Sequence, residues 1–460
     1  MARYSTPIIP PGKPIWKDRQ ADFKKIETRK KIIRSGIKLA IFIPLCIFAI
    51  YGMFSWFAND DGHGPEPVDS NLNSRQGPDN RLLEAAYIRQ LVKDRSLINL
   101  PEDRIHFTKD GKTITIDTSI DIPLQNHLLK KMDRKNSRFI GMVVIEPSTG
   151  KVLTMAGFDK HDPLHNTCLD NRFPAASIFK IVTAAAAVEQ CGLNSNSTLK
   201  FNGSQHTLYK TQLKDRSNKY TNKISFRDSF AKSVNPVFGK IGTLKLGKES
   251  LQKYAKAFGF NMQIDFEKPP LPSHLAIGDD PYNWAEIASG FNRDTTLSPL
   301  HGALLATIVL REGKRIKPSI VEKITIDSEQ AIYQNYSNRV EQVISPATSR
   351  VIYDLMEATI RYGTSSKAFR GYLKDPVLSK LNIGGKTGSI YDDSHELRYD
   401  WFVGFADVKN GGRQLAVSVV VAHEKYIGTR ASQYARMAMK KYFTDFFKKD
   451  LAQTHAEHSG

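Results

Sequence analysis

Twenty residues without a formal charge, LAIFIPLCIFAIYGMFSWFA at 39–58, follow directly on a strongly basic arm. At about 1.5 Å per residue, a helix of that length crosses a hydrocarbon core of about 30 Å. A buried core helix is usually shorter and lacks a basic flank, so the stretch reads as a transmembrane helix. Pro44 is tolerated in such a helix, and Trp56 falls where an interfacial aromatic belongs. Residues 1–38 carry eleven Lys and Arg against three Asp and Glu, +8 of the chain's formal +19, whereas NDDGHGPEPVD follows the span. The positive-inside rule then leaves residues 1–38 as a cytoplasmic arm and everything beyond residue 58 outside the cytoplasm. A cleaved signal peptide is the competing reading, but FSWFA at 54–58 places a Trp where a small residue is wanted. The span is read as an uncleaved, single-pass anchor.

The rest of the chain is long enough to bury one large domain. Residues 59–80, rich in Pro, Gly, Asn and Asp without periodicity, read as a linker, and 81–134 as a short membrane-proximal segment leading into the domain. In that segment RLLEAAYIRQLVKD reads as a helix, KTITIDTSI alternates like a strand, and PLQNHLLKKM repeats apolar residues at helical spacing. Residues 138–158 form a hairpin pattern, two β-rich runs around a Pro-Ser-Thr-Gly turn. A mostly helical, loop-rich middle follows. Three strand-like runs, LNIGGKTGSI, YDWFVGFADV and QLAVSVVVAHE, then precede an amphipathic helix at 429–451. A hairpin, a helical insertion, a three-strand meander and a closing helix make one sheet fed from both ends of the chain. The fold class is therefore α+β, a layered domain over 112–446 with an antiparallel sheet flanked by helices, and 447–460 reads as a disordered tail.

Of three cysteines, Cys46 lies in the span; Cys168 and Cys191 remain, and their separation leaves a disulfide open and offers no metal site. No cofactor signature is present. The +11 beyond the arm argues against nucleic acid as a partner; it fits an anionic cell envelope, and a solvated lysine-rich surface accounts for it equally well.

The chemistry begins at PAASIFKIVTAAAAVEQCG, 174–192, where Ser177 and Lys180 open an apolar helix. Residues i and i+3 share a face, so the amine stands one turn behind the hydroxyl. A helix N-terminus favours an oxyanion, a serine needs a base to become a nucleophile, and a lysine is that base only when burial or nearby cations lower its pKa. The pair alone says little, since Ser35/Lys38, Ser197/Lys200 and Ser250/Lys253 repeat the spacing in ordinary polar surroundings. Two further elements follow in order: Ser233-Val234-Asn235, 56 residues on, and Lys386-Thr387-Gly388 on a predicted strand, followed by Ser389. The glycines before and within that strand are expected to keep its face bare for an extended substrate.

The order Ser-x-x-Lys, Ser-x-Asn, Lys-Thr-Gly resembles the transpeptidase domain of penicillin-binding proteins, of the monofunctional class B kind. GMVVIEPSTGKVLTMA and DWFVGFAD are also similar to strands of that family. The resemblance implies a D,D-transpeptidase that acylates Ser177 with a D-alanyl-D-alanine stem peptide of peptidoglycan, Lys180 accepting the proton. It implies that Ser233 relays protons to the leaving amine, that Asn235 binds the peptide amide, and that Lys386 and Thr387, beside Gly388 and Ser389, hold the terminal carboxylate. The N–H groups of Ser177 and Ser389 would form the oxyanion hole. β-Lactams would acylate the same serine, and a membrane glycan polymerase or other cell-wall synthesis proteins are implied partners.

Departures from the pattern are informative. Only about 50 residues are available between linker and domain for the larger module that many anchored relatives carry, and a glycosyltransferase domain has no room. Val234 stands where class A β-lactamases carry Asp, and class D enzymes, similar at SIFK, carry a hydrophobic residue at the position of Asn235. A class D-like hydrolase or β-lactam sensor, a D,D-carboxypeptidase and a catalytically silent scaffold are the alternatives. HELRY at 395–399 lacks the second His of a metalloprotease motif, so His395 and Glu396 read as loop residues near the Lys-Thr-Gly strand.

Overall fold

A computed structural model describes residues 78–327, 330–335, 340–409 and 411–457. The basic arm, the apolar span and all but the last residues of the linker lie outside the described residues; among those described, no helix is long and apolar enough to cross a membrane.

In chain order the strands are β1 (Arg104–Lys109), β2 (Lys112–Thr118), β3 (Ser137–Ile145), β4 (Val152–Asp159), β5 (Thr198–Phe201), β6 (Asn222–Ser225), β7 (Lys314–Ile316), β8 (Val321–Ile326), β9 (Gln330–Gln334), β10 (Val340–Gln342), β11 (Leu381–Tyr391), β12 (Arg398–Val408) and β13 (Gln414–His423). The central sheet has five antiparallel strands in the order β11-β12-β13-β3-β4, so the early hairpin completes the late meander. Both faces of this sheet are covered, which is why β13 is apolar almost throughout rather than alternating. Val143, Ile145, Trp401, Val403, Phe405 and Val420 pack to one side. Met142, Val144, Phe402, Val417, Val419 and Val421 pack to the other.

The first side is filled by the helix Pro299–Leu310, every residue of which is buried. Ser298 caps it and Pro299 occupies its first turn, where a missing N–H costs nothing. The second side is covered by the helices Ile122–Lys131 and Ala431–Glu457. That closing helix continues through 447–457, where the sequence reading placed a disordered tail.

A second sheet, β1-β2-β8-β9, was not foreseen. It pairs the segment ahead of the main domain with the middle of the chain, Ile114 opposite Ile326 and Ile116 opposite Ile324. Residues 81–134 are therefore part of the same compact unit, with Ile88, Leu91, Val92, Ile114 and Ile116 in its core. The middle of the chain is correspondingly less helical than its sequence suggested. Both described cysteines are free thiols. The Cys168 thiol donates to the carbonyls of Met142 and Ala156 at 3.4 Å each, and burial pushes its pKa up to about 12, so it is chemically quiet.

Candidate active site

Ser177 lies on a 3₁₀ turn, Ala176–Phe179, and the α-helix itself begins at Lys180 and runs to Cys191. This corrects the expectation of an α-helix starting at the serine. Residues i and i+3 eclipse in a 3₁₀ turn, which brings Lys180 Nζ to 2.8 Å from Ser177 Oγ. Gly192, left-handed at φ 62°, ends the helix.

The turn holds Ala176 at φ 47°, a conformation that costs a non-glycine residue about 1–3 kcal/mol. Two glycines make room for it. A Cβ on Gly290 would lie 1.9 Å from the Ala176 carbonyl oxygen and 2.9 Å from Ser177 Cα, and one on Gly388 would lie 3.2 Å from Ala176 Cβ. Gly290 closes the helix Pro281–Ser289 in a left-handed conformation. The Ser177 turn is thus clamped between that helix end and strand β11.

Lys180 is completely buried. Besides the serine, its amine meets two oxygens that can only accept hydrogen bonds, Asn235 Oδ1 at 2.9 Å and the carbonyl of Ser289. Asn235 Nδ2 donates to the carbonyl of His206 at 3.1 Å, which settles which end of the amide faces the lysine. A neutral amine has two N–H bonds and one lone pair. With both N–H groups held by these acceptors, the lone pair is left for the Ser177 O–H. Desolvation, reinforced by the charge of Lys386, holds the Lys180 pKa well below the usual lysine value. Both effects disfavour the charged form.

Lys386, on β11, is also fully buried, and its amine donates to Ser233 Oγ at 3.0 Å and to the carbonyl of Thr387 at 2.7 Å. Burial pulls its pKa down to about 7. Ser233 sits at φ 57° in the break between the helices Phe226–Ala231 and Asn235–Lys240, which turns its hydroxyl toward Lys386 while Asn235 faces Lys180. Aromatic faces back both amines, Phe238 lying 5.5 Å from Lys180 Nζ and Phe230 5.5 Å from Lys386 Nζ. Among the described residues no carboxylate pairs with either lysine, so nothing offsets the desolvation that lowers their pKa values.

Strand β11 is the edge of the central sheet. Along it Thr387 shares a hydrogen bond with the Thr364 hydroxyl, and the exposed Ser389 accepts from Arg398 Nε at 3.0 Å. The expected bare glycine face is corrected here. Cβ atoms on Gly384 and Gly385 would lie 2.3 Å from the rings of Phe405 and Phe402, so these two glycines make room for β12 side chains, and Gly388 is the one that meets the Ser177 turn.

Ser177, Lys180 and Asn235 thus form one hydrogen-bonded arm and Ser233 and Lys386 a second, with Thr387, Gly388 and Ser389 following Lys386 along β11. Ser289, Gly290, Thr364 and Arg398 belong to the same neighbourhood and were not anticipated. His395 and Glu396 are exposed in the β11–β12 loop, where the His395 ring stacks on Tyr391 at 5.8 Å. Of the other serine–lysine pairs, Lys200 donates to Ser217 at 3.3 Å and Ser250 and Lys253 lie on the helix Gly247–Ala257; neither pair joins a third group of this kind.

Comparison with known proteins agrees with this geometry. Residues 140–443 match the family described as penicillin binding protein transpeptidase domain. Peptidoglycan D,D-transpeptidase PbpA of Mycolicibacterium smegmatis is 25% identical over 322 residues, 61% of this chain and 61% of that protein. Stage V sporulation protein D of Bacillus subtilis is 23% identical over 308 residues, 63% of this chain and 46% of that protein. The aligned part thus spans about half to three-fifths of these relatives. A D,D-transpeptidase domain from Eggerthella lenta superposes with a TM-score of 0.59 at 20% identity, over 71% of this chain and 82% of its own. The imipenem acyl-enzyme complex of penicillin-binding protein A from Mycobacterium tuberculosis gives a TM-score of 0.56 at 21% identity, over 71% of this chain and 79% of its own. With the family match extending across the sheet, the Ser177 turn and both lysine arms, the chain belongs to the penicillin-binding protein transpeptidase domain family.

Proposed function

We propose that this protein is a peptidoglycan D,D-transpeptidase that works through an acyl-serine at Ser177. The observation that carries the reading is the arrangement around Lys180: a buried amine with two acceptor-only partners and its lone pair left for the serine hydroxyl. As Ser177 Oγ bonds to the carbonyl carbon of the penultimate D-alanine, its proton passes to Lys180. The N–H groups of Ser177 and Ser389 stabilise the oxyanion. When the C–N bond breaks, Lys180 gives up the proton it took from Ser177, and this proton reaches the departing D-alanine amine by way of Ser233, whose hydroxyl is held by Lys386, so that Lys180 is neutral again. An amine of a second stem peptide then attacks the ester, loses a proton to Lys180, and returns Ser177 to its hydroxyl form. β-Lactams carry an acyl bond of the same kind and are captured at the same atom.

The apolar span at 39–58 anchors the protein in the cytoplasmic membrane with the basic arm inside and the domain in the envelope. Stem peptides are its substrates, and a glycan polymerase is its fitting partner, since transpeptidation needs a strand to act on. The Asn235 amide oxygen accepting a hydrogen bond from the Lys180 amine favours this reading over a class D-like hydrolase, whose pattern has a hydrophobic residue there.

The distinguishing experiment supplies the chain with a donor peptide ending in D-alanyl-D-alanine and an amine acceptor, and follows both products. Amide product rising with acceptor concentration at the expense of hydrolysis is the expected outcome. Hydrolysis alone, indifferent to the acceptor, would replace transpeptidase by carboxypeptidase.

A further inference from the structure

Residues 198–225 carry six Lys and Arg against one Asp, and Lys200, Lys210, Lys214, Arg216, Lys219 and Lys223 are all exposed. The strands β5 and β6 organise part of that charge. Leu199 and Ile224 are register partners that pack against the core, so Lys200 and Lys223, partners one step along, stand side by side on the outer face. Asn202 shares that face and ties the intervening loop to it. Its Nδ2 donates to the Arg216 carbonyl at 3.0 Å and its Oδ1 accepts from Thr221 Oγ1 at 2.8 Å, while Lys200 Nζ donates to Ser217 Oγ at 3.3 Å.

Like charges directly opposite on paired strands are destabilising, and a ribbon of two four-residue strands is marginal to begin with. Among the described residues no carboxylate pairs with Lys200, Arg216 or Lys223. Solubility alone would be served as well by one Lys opposite one Glu, which attract. The charged lobe is also bolted to the wall of the site. The Gln205 carbonyl accepts from the Asn235 N–H at 2.7 Å, the His206 carbonyl from Asn235 Nδ2 at 3.1 Å, and the Leu208 carbonyl from the Tyr282 hydroxyl at 2.6 Å. Tyr282 lies on the helix whose last residue offers its carbonyl to Lys180.

We infer that this lobe is a docking surface for carboxylate-bearing stem peptides of the peptidoglycan strand, at positions outside the groove of Ser177. Stem peptides present carboxylates on side chains and at their ends, and paired ammonium groups flanked by hydroxyl and amide donors receive such groups. Lysines suit a polymer that must be held and then released, since each is a flexible point charge rather than a fixed fork. An anionic membrane is the competing partner, and the attachment of the lobe to Asn235 favours the polymer, which has to reach that wall. The surface holds the strand and takes no part in acylation. The inference rests on the peptidoglycan reading of the site.

The test uses the full chain in detergent, treated with penicillin beforehand so that the groove is occupied, and measures binding of labelled glycan strands bearing carboxylate stem peptides by fluorescence anisotropy. Lys223→Glu turns a like-charge pair into an ion pair with Lys200, so thermal unfolding should come no earlier than in the unsubstituted chain. Strand binding should nevertheless weaken about 10-fold, as expected for losing one exposed charge pair and gaining a repulsion. Lys200→Gln/Lys223→Gln should weaken it too, and both variants should take penicillin at Ser177 within about twofold of the wild-type rate. The basic arm of 1–38 is the same in every chain, so a difference belongs to the lobe. Unchanged strand binding by the variants, or equal wild-type affinity for strands whose carboxylates have been amidated, would overturn the inference. Loss of binding to anionic lipid vesicles with strand binding intact would overturn it in favour of a membrane contact. A wild-type chain that takes no penicillin at Ser177 would overturn the acyl-transfer reading, while strand binding, read separately, still decides the role of the lobe.

Discussion

Lys180→Met should slow acylation of Ser177 by about 10²- to 10⁴-fold, the range supplied by a positioned general base, while leaving the protein folded. Methionine fills the volume of the lysine stem in a helix whose surroundings are apolar. What is lost is the acceptor for the serine proton. The pH dependence carries the same argument further. Only neutral Lys180 can act, so the acylation rate falls on the acid side as this amine takes up a proton. Desolvation first, and the Lys386 charge second, move that limb well below the usual lysine range.

Lys386 has a pKa of about 7, so it becomes charged in mild acid, where Lys180 is most at risk of protonation. The two amines compete for a proton, and the charge of one keeps the other neutral. Lys386→Met removes that repulsion and should raise the Lys180 pKa. Its acid limb should therefore shift to higher pH, apart from any loss of rate through Ser233. A pH–rate profile for both variants measures this. A Lys180→Met protein that acylates at the wild-type rate, or an acid limb unmoved by Lys386→Met, would contradict the assigned roles.

The second large effect comes from backbone packing and removes no titratable group. Gly290→Ala would set a Cβ 1.9 Å from the Ala176 carbonyl oxygen and 2.9 Å from Ser177 Cα, at a residue whose φ is 64°. The obstructing atoms are backbone and cannot rotate away, so the nucleophile turn must move. A loss of acylation of about 10²-fold or more should accompany a destabilisation of about 2–4 kcal/mol. Gly192→Ala is the control. Its φ is nearly the same, 62°, but a Cβ there meets nothing within 4 Å. Only the left-handed backbone cost of about 1–2 kcal/mol applies, with acylation unchanged. Denaturant unfolding and penicillin acylation, measured on both variants, separate displacement of the turn from backbone strain alone. Equal acylation by the two would show that the clamp on Ala176 does not set the reactivity of the serine.

The central sheet was legible because its two covered faces demand long apolar runs, and β12 and β13 supply them. The reacting side chains were legible because the three motifs are short and local. The second sheet was harder to see, since β8 carries Glu322 and Lys323 among its apolar residues and its partner β2 lies some two hundred residues away. Pairing at that separation leaves no local signal. The missed site residues share another property. Ser289 contributes a backbone carbonyl, which any residue provides, and Gly290 looks like an ordinary helix stop. Ala176 and Ser233 adopt left-handed backbones without being glycine, so composition gives no hint of them. Arg398 meets Ser389 only because β11 and β12 pair in register. The closing helix outran its expected end because residues 452–457, AQTHAE, include two alanines and hold no Gly or Pro to stop it.

The most direct test of the whole account is to incubate the chain with a penicillin and follow its intact mass over time, beside a Ser177→Ala variant, with the modified peptide located by fragmentation. A stable adduct on Ser177 that the substitution abolishes is the predicted result. An adduct on another residue, an equal adduct on the Ser177→Ala protein, or none on either would contradict it, and with it the claim that the Lys180 amine arms this serine as a nucleophile.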